Sequence, residues 1–230
     1  MKAIILMAGV GSRLGKPLPK CLTEIPGGET ILGRQLRLLR PLVDEIVGVV
    51  GFKKEVIMEL HPEMVYVYNP FFARTNTAKS LLTALQVLPA DDDLLWVNGD
   101  VVFTEATLER VASTAGNVVG VTFGACGEEE IKFNLDGEGY IREISKQVRQ
   151  PLGEAIGLNK VSGACAPALR DALARCTDRD YFERALELCN LDGVRFKAVD
   201  VGAEPCIEVD FIEDLQRVWT VFRGLDQEGG

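Results

Sequence analysis

Lys2-Ala3-Ile4-Ile5-Leu6-Met7-Ala8-Gly9-Val10-Gly11-Ser12-Arg13-Leu14-Gly15-Lys16 is the stretch that decides the fold class. Its first part is a short apolar run that stops at glycine, the pattern of a strand buried on both faces. A glycine-rich turn follows, then a loop containing Pro17 and Pro19, then a helical pattern from Thr30 to Leu39. The opening therefore reads strand, loop, helix.

Working outward, apolar runs at Ile46–Val50, Val65–Tyr68 and Leu94–Val97 alternate with helical patterns at Lys54–Leu60 and Thr77–Leu88. Such alternation predicts a parallel sheet with helices on both faces. Ligands of such sheets bind beyond the carboxyl ends of the strands, so the Gly9–Gly15 turn and the Asn98-Gly99-Asp100 turn should open onto one crevice. After Val121 the pattern changes. Ile131–Leu135 and Tyr140–Ile144 flank Asp136-Gly137-Glu138-Gly139 as a hairpin. Ile156–Val161 and Val194–Val199 read as strands, and Pro167–Ala174, Tyr181–Leu188 and Phe211–Phe222 as helices. The expected domains are a catalytic unit over 1–224 and a disordered tail over 225–230.

With 230 residues and 47% hydrophobic content, one α/β domain can bury its own core. No apolar run approaches the ~20 residues that span a bilayer, and no cleavable leader is visible, so the expectation is a soluble cytoplasmic chain. A net charge of −9 argues against nucleic acid as a partner. The six cysteines lie far apart with no C-x-x-C pair, which predicts free thiols. Against the acidic total, Lys2, Arg13, Lys16 and Lys20 all precede Glu24, the first acid.

That basic start bears on the loop. A P-loop needs glycine where Val10 stands and Ser or Thr where Pro17 stands. A dinucleotide fingerprint needs glycine at Leu14 and an acid near Val50-Gly51-Phe52. Both fail. What remains is a loop whose small residues let backbone N–H groups approach an anion, with a guanidinium at Arg13 and an ammonium at Lys20. The segment Ala3–Leu14 followed by Pro19-Lys20-Cys21-Leu22 resembles the opening motif of the nucleotidyltransferase superfamily, of the sugar-nucleotide and cytidylyltransferase type. The resemblance implies a Rossmann-like, GT-A-type fold: a mixed, mostly parallel sheet flanked by helices, with a small β-hairpin insertion. It also implies nucleotide contacts from Met7, Ala8, Gly9, Gly11 and Ser12, and catalytic bracing of the triphosphate by Arg13 and Lys20.

Leu94-Leu95-Trp96-Val97-Asn98-Gly99-Asp100 ends an apolar strand in a carboxylate. An Asp there is also an ordinary turn former or helix cap, a reading that Thr104 behind it supports. The family carries a Gly-Asp pair at this point whose Asp holds Mg2+, which by resemblance makes Asp100 a metal ligand and Gly99 a nucleotide neighbour. Ile207-Glu208-Val209-Asp210-Phe211-Ile212-Glu213-Asp214-Leu215 is similar to a second family segment, where Asp210 would be the other ligand. Asp214 reads as a first-turn helix charge. Two separate aspartates suit a cation that also binds phosphate oxygens and water. The triple Asp91-Asp92-Asp93 and the lone His61 read as solvated groups.

Asn69-Pro70-Phe71-Phe72-Ala73-Arg74-Thr75-Asn76-Thr77-Ala78-Lys79-Ser80-Leu81 and Gly153-Glu154-Ala155-Ile156-Gly157-Leu158-Asn159-Lys160-Val161-Ser162 resemble segments of the phosphocholine and phosphonate cytidylyltransferase branch. Asn76 and Ser80 would contact the nucleotide or the acceptor, although a helix start capped by Asn76 or Thr75 is the alternative. Glu154, Lys146 and Lys160 are the acceptor candidates, with Lys160 also counted as catalytic; a surface lysine is the alternative for either Lys. Ala155 lacks the family's aromatic ring, which keeps aminoethylphosphonate beside phosphocholine as acceptor. The expected reaction is Mg2+-dependent transfer of CMP from CTP to a small phosphorylated or phosphonate acceptor. A sugar-1-phosphate uridylyl-, thymidylyl- or guanylyltransferase and a catalytically silent nucleotide-binding regulator are the alternatives. Expected partners are the nucleoside triphosphate and the acceptor, with a homodimer allowed for and no membrane.

Overall fold

The computed structural model of the chain describes residues 1–11, 14–15, 17–89, 91–202 and 204–228. In chain order the first half holds β1 (Lys2–Met7), α1 (Ile31–Leu39), β2 (Glu45–Val50), α2 (Lys54–Leu60), β3 (Val65–Tyr68), α3 (Thr77–Leu85), β4 (Leu94–Asn98), β5 (Val101–Phe103) and α4 (Glu105–Ser113). The second half holds β6 (Val118–Phe123), β7 (Lys132–Leu135), β8 (Ile141–Ser145), β9 (Gly153–Val161), α5 (Ala166–Arg175), α6 (Glu183–Leu191), β10 (Lys197–Asp200), β11 (Cys206–Glu208) and α7 (Ile212–Glu228). Local chemistry explains the starts: Thr30 accepts the Gly33 amide at 3.0 Å to cap α1, and Asn76 accepts the Thr77 amide at 2.9 Å to cap α3.

The central sheet runs β3-β2-β1-β4-β9-β6-β10, and along that path only β9 runs against its neighbours. The hairpin β7–β8 branches from β9. Helices cover both faces because β1 alternates: Ile4, Leu6 and Ala8 enter the core with residues of α3, α5 and α6, while Ala3, Ile5 and Met7 enter the opposite core with residues of α1, α2 and α4. A third core lies between α7 and the antiparallel ribbon β5–β11, where Val102, Ile207, Val209, Leu215, Val218 and Phe222 meet.

Four elements were not predicted. β5 and β11 are only three residues each, and each is a strand solely because it pairs with the other. α4 buries just Thr107, Leu108 and Val111, a stripe too thin to stand out in sequence. β6 is interrupted by Gly120, whose missing Cβ would fall 2.8 Å from the Leu158 carbonyl oxygen of β9. At the carboxyl end, the expected tail over 225–230 is described as far as Glu228, where the backbone is still helical. All six cysteines are free. No helix among the described residues is long and apolar enough to cross a membrane.

Candidate active site

β1 and β4 pair in parallel with Leu6 opposite Asn98, so the turns that follow them leave the sheet side by side. The Gly99 amide donates to the Leu6 carbonyl at 2.8 Å. A Cβ at Gly99 would lie 2.8 Å from the Met7 Cβ and 2.9 Å from the Leu6 oxygen, so only glycine lets the two strand ends approach this closely. Above them opens a cleft of about 410 Å³, lined by Met7, Gly9, Gly11 and Lys20 on one side and by Asn98, Gly99 and Asp100 on the other. The single crevice expected from the alternation is present.

The second carboxylate arrives through the ribbon. β11 pairs antiparallel with β5, Glu208 opposite Val101, and the Val209 amide donates to the Asp100 carbonyl at 2.9 Å. This register carries Asp210 across 110 residues of sequence to the side of Asp100. Alternation along the segment places Glu208 with Asp210. Asp100, Glu208 and Asp210 each offer a carboxylate oxygen within 4.8 Å of the others. Glu208 was not among the candidates, yet the i, i+2 spacing of acids in Ile207-Glu208-Val209-Asp210 was the signal that could have found it. The Asp210 and Phe211 amides donate to Asp214 at 3.0 and 2.7 Å, so Asp214 ties down the turn that presents Asp210.

Lys20 stands between the aspartates: its Nζ donates to Asp100 at 3.1 Å and also to Asp210. It reaches them from a short 3-10 turn, Lys20–Leu22, by passing over Gly11 (φ 60°), where a Cβ would strike the Lys20 Cγ at 2.6 Å. Burial pulls the Lys20 ammonium down, but Asp100 and Asp210 outweigh it and hold it above its ordinary value. Burial pushes Asp100 up and Lys20 only partly offsets this, with Asp210 adding to the rise. Glu208 opens to the cleft, yet the surrounding walls and then Asp100 and Asp210 raise it well above the usual carboxylate range. Three crowded oxygen donors with one ammonium between them fit a hard divalent cation such as Mg2+, which prefers carboxylate oxygens and keeps places for water and phosphate.

The other candidates divide. Asn76 lines the cleft at the start of α3, while Ser80, one turn later, is buried and accepts from the Asn69 Nδ2 at 3.1 Å. Ser80 therefore supports the helix start from behind rather than lining the cleft. Met7 turns its side chain into the core, with its Cε 2.3 Å from where a Gly48 Cβ would sit, and Ala8 is buried with its carbonyl accepting the Phe52 amide at 3.0 Å. Glu154 and Lys146 line the cleft; Lys146 donates to Glu129 at 3.0 Å and lies 5.2 Å from the Tyr181 ring centroid. Burial and the neighbouring Glu130 raise the Glu154 carboxyl, with Arg217 opposing. Arg217, from α7, is a cleft cation that the sequence reading did not select. Arg13 and Ser12 lie outside the described residues.

Lys160 is the correction. It is 6% exposed and its Nζ donates to the Ala112 and Thr114 carbonyls at 2.7 and 2.6 Å, closing the end of α4. Because β9 runs against β4, Lys160 pairs with Leu95 near the start of β4, and the opening residues of β9 are the ones that reach the cleft. Strand direction, invisible in the residues themselves, put the lysine at the wrong end of the sheet for an acceptor contact.

Comparison with known proteins shows the family and the fold. Residues 3–188 match the family described as MobA-like NTP transferase domain. The CMP-5'-(3-aminopropyl)phosphonate synthase of Streptomyces rubellomurinus is 40% identical over 123 residues, 49% of this chain and 19% of that one. Bifunctional protein GlmU of Neisseria meningitidis is 36% identical over 124 residues, 53% of this chain and 26% of that one. The chain thus spans about a fifth to a quarter of the length of these relatives. Among solved structures, the inositol-1-phosphate CTP transferase of T. maritima superposes with a TM-score of 0.82 at 19% identity, covering 95% of this chain and 93% of that one. The CTP:phosphocholine cytidylyltransferase of Streptococcus pneumoniae superposes at 0.79 with 17% identity, covering 96% and 98%. These two likenesses speak for the fold.

Proposed function

The chain belongs to the MobA-like NTP transferase domain family, and from that premise we propose that it transfers CMP from CTP to a small phosphorylated or phosphonate acceptor, with release of pyrophosphate. The observation that carries the proposal is the convergence of Asp100, Glu208 and Asp210 around Lys20 at the mouth of the glycine turn. An anionic acceptor oxygen must approach a phosphorus already ringed by anionic oxygens, so the site has to supply positive charge. When bound to the three carboxylates, Mg2+ supplies part of it and orients phosphate oxygens.

The protein's own groups do the rest. Gly9 and Gly11 let the backbone come close to the nucleotide, and Asn76 presents the start of α3, where amides favour an anion. Lys20, held between Asp100 and Asp210 beside the carboxylates that would hold the cation, would neutralise the departing pyrophosphate, with Arg13 as its partner by resemblance. No general base is required, because a phosphate or phosphonate oxygen is already ionised at neutral pH. The preference for CTP draws support from the 40% identical phosphonate synthase, and a phosphonate acceptor has the same support.

The test is a pyrophosphate-release screen of CTP, UTP, dTTP and GTP, each against aminoalkylphosphonates, phosphocholine, inositol 1-phosphate and sugar 1-phosphates, with and without Mg2+. Turnover with CTP and a phosphonate or phosphocholine is the expected result. Turnover with UTP, dTTP or GTP and a sugar 1-phosphate would replace this reading, and silence with every pair would leave a nucleotide-binding regulator.

A further inference from the structure

Glu183 begins α6 inside the cleft wall and is 5% exposed. Its Oε2 is buried with no hydrogen-bond partner among the described residues. Nothing in the chemistry proposed above uses it. Burial holds its carboxyl up at about 7, although its own backbone amide and Lys146 pull the other way. A carboxylate so placed costs free energy unless something with a positive charge or a hydrogen-bond donor completes it.

The position is built rigidly. The 177–182 segment is laced onto the start of α3: the Asn76 amide donates to the Asp178 carbonyl at 2.8 Å, the Ala78 amide to Asp180 at 3.3 Å, and the Phe182 amide to the Thr77 Oγ1 at 3.0 Å. Phe182 is locked beneath by an edge-to-face contact with Trp96, ring centroids 5.7 Å apart. The backbone from which Glu183 projects is therefore held in place at the cleft wall. Tyr181 stands two residues before Glu183 with the Lys146 ammonium 5.2 Å from its ring, and Lys146 and Glu208 are the charged groups that interact with Glu183. Along the cleft as a whole, among the described residues, the acids, Glu129, Glu130, Glu154 and Glu208 among them, outnumber Lys20, Lys146 and Arg217, so a further cation is favoured there, with an aromatic ring close to the carboxyl.

Resting on the cytidylyltransferase reading, we infer that Glu183 is the specificity-determining residue for the acceptor: it pairs with a primary ammonium group carried a few bonds from the phosphorus, so that the enzyme selects zwitterionic aminoalkyl phosphonates or phosphates over neutral-tailed ones. An ammonium reaching the carboxyl from its cleft side supplies both a charge and a donor to the buried group, while the phosphorus oxyanion at the other end of the acceptor faces the Asp100–Glu208–Asp210 cluster. A neutral tail of equal length leaves the carboxyl buried and unmatched, which is the situation in which polar sites discriminate most strongly.

The experiment measures kcat/KM with CTP and Mg2+ for 2-aminoethylphosphonate, 3-aminopropylphosphonate and the neutral isosteres propylphosphonate and butylphosphonate, using wild type and Glu183→Gln. Wild type should prefer an amine-bearing acceptor by about a hundredfold, the range found when one partner of a buried charged pair is removed. In Glu183→Gln that preference should fall to within a fewfold of unity, mainly through acceptor KM, with the KM for CTP and the Mg2+ dependence unchanged. Equal use of amine and neutral acceptors by wild type overturns the inference while leaving the cytidylyltransferase reading intact, whether or not the variant folds. A Glu183→Gln enzyme that keeps its amine preference but needs far more Mg2+ also overturns it, by assigning the carboxyl to a metal. Absence of turnover with every pair overturns both.

Discussion

Replacing Glu183 by Gln should make the ligand-free protein's stability less sensitive to pH, and the size of the effect follows from the structure. The folded carboxyl sits at about 7 against an ordinary value of 4.5. Between those values the folded state keeps a proton that the unfolded chain has released. Stability is therefore undiminished by this group below pH 4.5, falls as pH rises from there, and reaches its full loss once pH passes about 7. At 1.36 kcal/mol per pH unit the gap amounts to about 3 kcal/mol, or roughly 6–12 °C in Tm for a chain of this size. Lys146 is the charged neighbour that acts on Glu183, and Glu183 in turn raises Glu208, so the difference between the two proteins reports this carboxyl together with its coupling to Glu208. The assay is thermal unfolding of wild type and Glu183→Gln at pH 5, 6, 7 and 8 without nucleotide or acceptor. The variant should gain on wild type with each step up to pH 7 and then hold level. An offset that is the same at every pH would report only how well the amide fits, and it would refute the claim that an unpaired carboxyl is buried here.

Asp100→Asn and Asp210→Asn should each lower turnover by at least ~10²-fold, since each removes charge from the proposed cation seat, and pyrophosphate release at saturating CTP measures it. Glu208→Gln should raise the Mg2+ concentration needed for half-maximal rate by about 10–100-fold, the range for altered metal sites; an unchanged Mg2+ titration would remove Glu208 from the site. Lys20→Ala should cost roughly 10²–10³ in kcat, and a thermal-shift titration should find it binding Mg2+ more tightly than wild type in the absence of nucleotide, because the competing ammonium between Asp100 and Asp210 is gone. Lys160→Met should lose about 1–3 kcal/mol of stability from two stranded carbonyls while leaving acceptor KM alone, as steady-state kinetics and denaturant unfolding would report. Gly99→Ala should destabilise by about 1–3 kcal/mol, the range for overpacking, because its Cβ would press on the Leu6 carbonyl and Met7.

The alternation of apolar runs and helical stripes from Lys2 to Asn98, the cap at Asn76, and the crevice above Gly9 and Gly99 were legible in the residues. Each depends on interactions within a few positions: strand run against glycine, side-chain oxygen against the amides of the next turn, parallel strands ending together. The placement of Asp100 and Asp210 on one cleft came from a motif likeness, and the likeness brought no geometry with it. Tertiary structure alone decided the rest. β5 and β11 are too short to exist apart, and only their mutual register brings Glu208 into the acidic cluster. The reversed direction of β9 sends Lys160 to the end of α4 and its first residues to the cleft. Glu183 looked like one more polar residue on a helix until the lacing of 177–182 onto α3 buried it. A sequence displays periodicity and capping because those contacts are local. Strand direction, pairing partner and the burial of a single carboxylate are set by contacts across a hundred residues, where many arrangements share the same local pattern and only packing selects among them.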